Sequence, residues 1–277
     1  MTLLHDSTDV LPPVAPADAS DEQDEPSTPV GLIVVLLLVL LAFAAAALLI
    51  AEAIARADVE QSIAADLRAG MSTPDTQHIG VSVDGSVLLQ GMVNRYETVH
   101  VSMPNVPLAV GSADVTANFT GVTHDDRGVW LAERGTGLYS FGAAQATSTF
   151  IPDEARGKMQ IGFRGADMTF DASVSSAGRS IPVSVAATPA LQSGWMTTSL
   201  VQVSAAGASL SVDELRAKVG DEAVSALQIP PLCIAEGLPR GISPRSVTVR
   251  DQHLLLEVDI HLVMLETPEG RQPGACS

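Results

Sequence analysis

The sequence predicts an α+β fold: an N-terminal transmembrane helix, then a long, mostly antiparallel β-sheet carrying one or two helices. Three observations predict it. Val30 to Ala51 is unbroken by any charge, and Gly31 is its only residue that is not strongly apolar. From His78 onward, apolar residues recur with a period of two, separated by connections too short for parallel crossovers. Two stretches, Ala51 to Ala69 and Ser211 to Leu227, carry helix patterns and helix-end signals instead.

Taken in order, the chain opens with an acidic tail. Residues 1–29 hold seven of the 32 acidic residues and no Lys or Arg. Pro, Ser, Asp and Glu dominate it, so it has too little apolar surface to offset its ordering entropy and is expected to be disordered. The apolar run, residues 30–51, reaches roughly 33 Å as a helix, enough to cross a hydrocarbon core. A cleavable signal peptide normally carries a basic leading segment and a shorter apolar stretch, so we read a retained anchor. Residues 52–277 then form the body of the protein.

Within that body, Val59, Ile63 and Leu67 are spaced by four, and Gly70 stands where a helix C-cap is expected. The membrane helix continues into this segment or hinges onto it. Strand signals follow at Ile79, Val81 and Val83, and at Val99, Val101 and Met103. Further strands are predicted at Val115–Phe119, Val129–Ala132, Met159–Phe163, Met168–Ala172, Ile181–Ala187, Met196–Val203 and Val247–Val249. Ser211-Val-Asp-Glu214 forms a capping box, and Val212, Leu215, Val219 and Leu227 supply a helical apolar face before Pro230-Pro231. In the last strand, Leu254, Leu256, Val258, Ile260 and Leu262 are aliphatic, and Glu257, Asp259 and His261 alternate with them. One face is apolar and the other wet. A helix laid on such a sheet is an α+β layer arrangement.

Composition narrows the function classes. The net charge is −17, and with the tail set aside 25 acids still face 15 bases, which repels phosphate backbones and argues against nucleic acid as a partner. No nucleophile elbow, zinc-protease helix motif, P-loop or EF-hand loop occurs, so no catalysis and no cofactor are expected. His124-Asp125-Asp126 reads as turn chemistry rather than a metal site. Gly135-Thr-Gly137-Leu-Tyr-Ser-Phe-Gly142 has the glycines of a phosphate cradle, but we do not expect it to join a strand to a helix start.

Cys233 and Cys276 are the two cysteines. They fit either buried free thiols or a disulfide. Because Cys276 lies in a polar terminal stretch that would otherwise fray, we expect the bridge. Orientation draws on conflicting signals. Arg56 and Arg68 follow the anchor and by charge alone belong inside, whereas the late cysteines suit an oxidising compartment. The expectation is a single-pass protein of the cell membrane with its C-terminal domain on the extracytoplasmic face.

The order of these pieces resembles a known family. The helix Val59-Glu-Gln-Ser-Ile63-Ala-Ala-Asp-Leu67-Arg precedes Val81-Ser-Val-Asp-Gly85-Ser-Val-Leu-Leu-Gln-Gly91 and Val99-His-Val-Ser-Met103-Pro-Asn-Val106. Near the end stands Cys233-Ile-Ala-Glu-Gly-Leu238-Pro-Arg-Gly-Ile242-Ser-Pro-Arg-Ser-Val247-Thr-Val. Over about Val59 to Val263, this is similar to the LmeA family of phospholipid-binding envelope proteins of actinobacteria. The resemblance implies a tubular lipid-binding fold, in which a curved antiparallel sheet wraps a long helix and an acyl chain enters between them. It also implies an extracytoplasmic position and a non-catalytic role in lipid or lipoglycan assembly or transfer. Residues 121–180 read as an insertion relative to the simplest members. Two-faced aliphatic strands suit a tunnel that takes up hydrocarbon, and the candidate lining is Val99, Val101, Met103, Val183, Val185, Leu254, Leu256, Val258, Ile260 and Leu262. The competing expectation is a structural or scaffolding envelope protein, in which these side chains fill one another and hold no lipid.

Overall fold

Helix α1 runs without interruption from Val30 to Met71, so the apolar run continues into the amphipathic segment rather than hinging onto it. Gly70 lies inside its last turn and does not cap it. The computed structural model describes residues 30–71, 76–108, 111–125, 128–176, 179–225, 227–265 and 267–276; the predicted disorder of the acidic tail lies outside these. Residues up to Leu48 form one unit and Leu49–Ser277 a second. In the first unit, side chains such as Leu36, Leu40 and Phe43 are all exposed, as a hydrocarbon-facing helix requires.

In the second unit, the remaining turns of α1 change character. Ile63 is buried, and Val59, Ala64 and Leu67 pack against the core on the same stripe. Glu52, Arg56 and Glu60 follow one another at intervals of four, and Arg56 pairs with Glu52 at 2.9 Å and with Glu60 at 4.0 Å. These charges also grip the chain that follows. Arg56 donates to the carbonyls of Val83 and Gly85, while Glu60 accepts from the Val83 N–H at 3.2 Å. Glu52 accepts from the N–H groups of Val87 (2.7 Å) and Leu88 (3.0 Å) and from the Ser86 hydroxyl (2.9 Å).

The predicted antiparallel strands form two sheets. The first contains β1 (Gly80–Val83), β2 (Tyr96–Pro107), β3 (Ser112–His124), the short β4 (Trp130–Leu131), β5 (Arg134–Phe141), and two late strands, Ile242–Arg250 and His253–Ile260. Helix α2 (Val87–Met92) joins β1 to β2. Helices α3 (Ala143–Phe150) and α4 (Asp153–Arg156) lead to the second sheet. That sheet is β6 (Met159–Arg164), β7 (Asp167–Ser176), β8 (Arg179–Gln192), β9 (Trp195–Ala205), β10 (Ala208–Ser211) and β11 (Leu232–Cys233). The chain then returns to the first sheet as β12 (Ile242–Arg250) and β13 (His253–Ile260). The strand orders are β1-β2-β3-β5-β13-β12 and β10-β9-β8-β7-β6, and β12 at one edge packs against β8.

Residues 121–180, expected to be an insertion relative to the simplest members, supply β5, the strand that joins β3 to β13. Two local expectations change. The helix expected over Ser211–Leu227 begins as predicted, with the Ser211–Glu214 capping box in place. Hydrogen bonding to Ser211 holds the Glu214 carboxyl below its usual range. Gly220, at φ +83°, then breaks it into α5 (Val212–Val219) and α6 (Asp221–Ser225), leaving Val219 and Leu227 exposed. The last strand ends at Ile260, and Leu262 opens a helical turn, α7 (Leu262–Leu265).

Cys233 and Cys276 are bonded, with Cα atoms 5.8 Å apart. The bridge seats the C-terminal stretch against the β8–β9 turn, where Gly194, at φ +82°, leaves room for Cys276 Sγ: a Cβ there would lie 3.3 Å from it. Backbone bonds from Arg240 to Gln272 and from Gly274 to Leu238 complete the attachment.

Joint replacement of Cys233 and Cys276 by Ser removes a closure of 43 residues. In the loop-entropy picture such a closure contributes about 4 kcal/mol. The variant should melt well below the parent, and non-reducing peptide mapping of the parent should return the linked pair. A second expectation concerns His100, on the wet side of β2. Its ring nitrogens meet Asn118 Oδ1 and, at 2.9 Å, Asp84 Oδ2, and these contacts raise its pKa above the ordinary 6.5. A raised folded-state pKa gives stability that is fully present below the ordinary value and lost as pH rises through the raised one. Denaturant midpoints should therefore be highest below the ordinary value of 6.5 and fall modestly as pH rises above it, and His100→Gln should flatten that slope.

Candidate functional site

Directly paired residues in an antiparallel sheet share a face, so the registers define one inner face of the first sheet. Val83 pairs with Val99, Val99 with Phe119, and Phe119 with Gly135; Val101 pairs with Ala117, and Ala117 with Gly137. Across β13, Gly137 meets Val258, Gly135 meets Ile260, Tyr139 meets Leu256 and Phe141 meets Leu254. Val247 and Val249 of β12 extend the same face. Ile63 of α1 is buried in the same cluster, and Ala55, Val59 and Leu67 pack on it.

This half of the face is closed. Val99, Leu254 and Val258 are each 1% exposed. The two strand glycines make the closure tight: a Cβ on Gly137 would stand 2.8 Å from a Val258 methyl, and one on Gly135 2.9 Å from the Phe119 ring. Contrary to expectation, the glycine motif does join a strand to a helix start, since Gly142 precedes α3 and its N–H donates to Gln145 Oε1 at 2.9 Å. Its Gly135 and Gly137 lie within β5 beneath Phe119, Val258 and Ile260 rather than in an open loop. Tyr139 is on the same apolar face, and burial pushes its phenol pKa up.

The second sheet has an equally regular inner face with a different fate. Ile161 pairs with Phe170, Phe170 with Val185, Val185 with Val203, and Val203 with Leu210. One step along, Met159 pairs with Ala172, Ala172 with Val183, and Val174 with Ile181. The reverse face is polar, with Asp171, Ser184, Ser204 and Ser209 in one row. Met168 and Ile161 are buried against the common core. Towards the other end, cover runs out: Val183, Val185, Val203 and Leu210 are half-buried, and Val174 is 52% exposed. Helix α5 contacts β9 and β10 at this end.

The predicted lining thus divides. Val99, Val101, Met103, Leu254, Leu256, Val258 and Ile260 share the inner face of the first sheet, under α1. Val183 and Val185 belong to the open part of the second sheet. Leu262 is on α7, outside either strand row. Phe170, Val174, Val203 and Leu210 were not singled out from sequence, although the alternation that identifies Val183 and Val185 continues through each of them.

An open depression of about 450 Å³ beside the disulfide, lined by Gln192, Ser193, Trp195, Thr197 and Pro231, is separate from this apolar face. Among the described residues, no three His, Cys, Asp or Glu side chains converge as metal ligands.

No curated protein matches the chain. No solved structure matches it. The family model described as LmeA-like phospholipid-binding matches residues 50–259, beginning just where the apolar run ends and passing through both sheets. The match covers most of the chain, and the protein belongs to the LmeA-like phospholipid-binding family.

Proposed function

We propose that this is a membrane-anchored, non-catalytic phospholipid-binding protein of the cell envelope, its domain extracytoplasmic, that supports lipid or lipoglycan assembly or transfer. The observation that carries the reading is an apolar face that is roofed by α1 on the first sheet and left partly uncovered on the second. An acyl chain laid along Val183, Val185 and Val203 gains about 0.8 kcal/mol for each methylene removed from water. The family membership supports phospholipid as the ligand, and the length of the apolar run supports the anchor. The disulfide supports the outward placement, since such bonds persist in oxidising compartments.

A second reading has its own observation. The closure around Val258 suits a solid core, and a scaffold with a solid core holds no lipid. Paired variants separate the two. Val185→Trp should displace co-purifying phospholipid while leaving the melting temperature nearly unchanged, because the new ring has open space to occupy. Val258→Trp should instead force apart β5 and β13 at a cost of roughly 1–3 kcal/mol or more, with lipid content per folded molecule retained. Loss of lipid from Val258→Trp without loss of stability would move the chain beneath α1. A parent protein that carries no extractable lipid would leave the scaffold reading standing.

Orientation is checked by protease treatment of intact spheroplasts. The domain should be digested, and an epitope placed within residues 1–29 should survive; the reverse pattern overturns the extracytoplasmic placement.

A further inference from the structure

Helix α2 buries Val87 at 2% exposure, leaves Leu88 half-buried and turns Leu89 (68% exposed), Met92 (84%) and the adjoining Val93 (72%) outward. Leu89, Met92 and Val93 are spaced by three and four, so they project from one side of a helix only six residues long. Ile54 on α1 is also 59% exposed. Nothing in the closed core needs these side chains, and such clusters on a soluble surface mark a contact.

Their position relative to the sequence identifies the contact. The first turn of α2 is bonded to Glu52, the residue immediately after the apolar run, through the Val87 and Leu88 N–H groups and the Ser86 hydroxyl. If the hydrocarbon part of α1 ends at Ala51, Glu52 lies at headgroup depth, and whatever bonds to its carboxylate lies within a few ångströms of that level. The clamp suits that environment, because the Glu52 carboxylate pairs with Arg56 at 2.9 Å and accepts from three further donors, so its oxygens remain hydrogen-bonded under partial dehydration.

We propose that α2 is a second point of contact with the bilayer, its Leu89, Met92 and Val93 inserted at the boundary between headgroups and acyl chains. The contact fixes the domain against the membrane at one edge, beside β1 and β2, instead of leaving it to swing on α1 alone. This rests on the reading of residues 30–51 as a membrane span, and the test separates the two claims.

The full chain, reconstituted in vesicles of phosphatidylcholine and phosphatidylglycerol, is spin-labelled at one introduced cysteine: Met92→Cys, Leu41→Cys within the apolar run, or Ser173→Cys on the polar face of β7. The native cysteines are bonded to each other and take no label. Relaxation by oxygen is compared with relaxation by a water-soluble nickel chelate. We expect the oxygen-to-nickel ratio at Met92 to exceed that at Ser173 several-fold and to remain below that at Leu41, with melting temperatures unchanged. A deep label at Leu41 with a watery one at Met92 overturns the α2 contact and leaves the anchor intact. A watery label at Leu41 overturns both. A label at Met92 shielded from both relaxants means that protein, a second copy included, covers the patch, and this too overturns the proposal.

Discussion

Exclusion of water from the inner face of the first sheet is the interaction on which the rest of the domain depends, and α1 contributes the buried Ile63 to it. Strands β2, β3, β5 and β13 present a continuous apolar surface, on which the α1 stripe Val59, Ile63 and Leu67 packs and which α3 also contacts through Phe150 against Phe141. One helix therefore carries two apolar patterns. Its first turns are apolar all round, over a length able to cross a membrane, whereas its later turns are apolar on one stripe, as a protein core demands. The Glu52–Arg56–Glu60 series comes at the change between the two. By gripping the backbone from Val83 to Leu88, it fixes how far along the sheet the helix lies.

The close fit beneath α1 has a specific source. Gly135 and Gly137 have no side chains, so Phe119, Val258 and Ile260 settle onto the β5 backbone itself. Placing glycine in a strand costs backbone entropy, which is offset here by the packing of neighbouring side chains into the vacated space. Among the described residues, no comparable cover lies over the far end of the second sheet. Its inner face begins inside the common core at Met168 and Ile161 and emerges towards Val174, so a single apolar surface passes from dry to open along its length. We place the proposed acyl chain where that surface is open, because binding there does not require the helix to leave its place.

The C-terminal region shows how a few covalent and backbone constraints substitute for a core. Residues 267–276 are mostly polar, with Gly270 buried among them. They are held by the disulfide to β11 and by pairing with the segment around Leu238 and Arg240. The bridge thereby links the chain's end to the turn between the two longest strands of the second sheet. Stabilisation of this kind acts mainly by restricting the unfolded chain, which suits a segment with little apolar area to bury.

Local patterns determined much of this in the sequence alone. The length of the apolar run, the stripe Val59–Ile63–Leu67, the alternation at Val99–Met103 and Leu254–Ile260, and the Ser211 capping box are each written within a few neighbouring residues, and each is present in the structure. What the sequence left open was every matter that depends on residues distant in the chain. Alternation announces a two-faced strand without saying which sheet it joins, so Val183 and Val258 look alike although one ends half-open and the other sealed. Residues 121–180 read as an addition because they lie between recognisable pieces, yet β5 is held from both sides, by β3 and by β13, whose partner residues lie more than a hundred positions away. The extent of the last strand and the break at Gly220 were likewise decided by the packing and backbone geometry of the folded chain rather than by apolar spacing. Periodicity records whether a side chain faces a partner; only the tertiary structure decides which partner arrives, and whether one arrives at all.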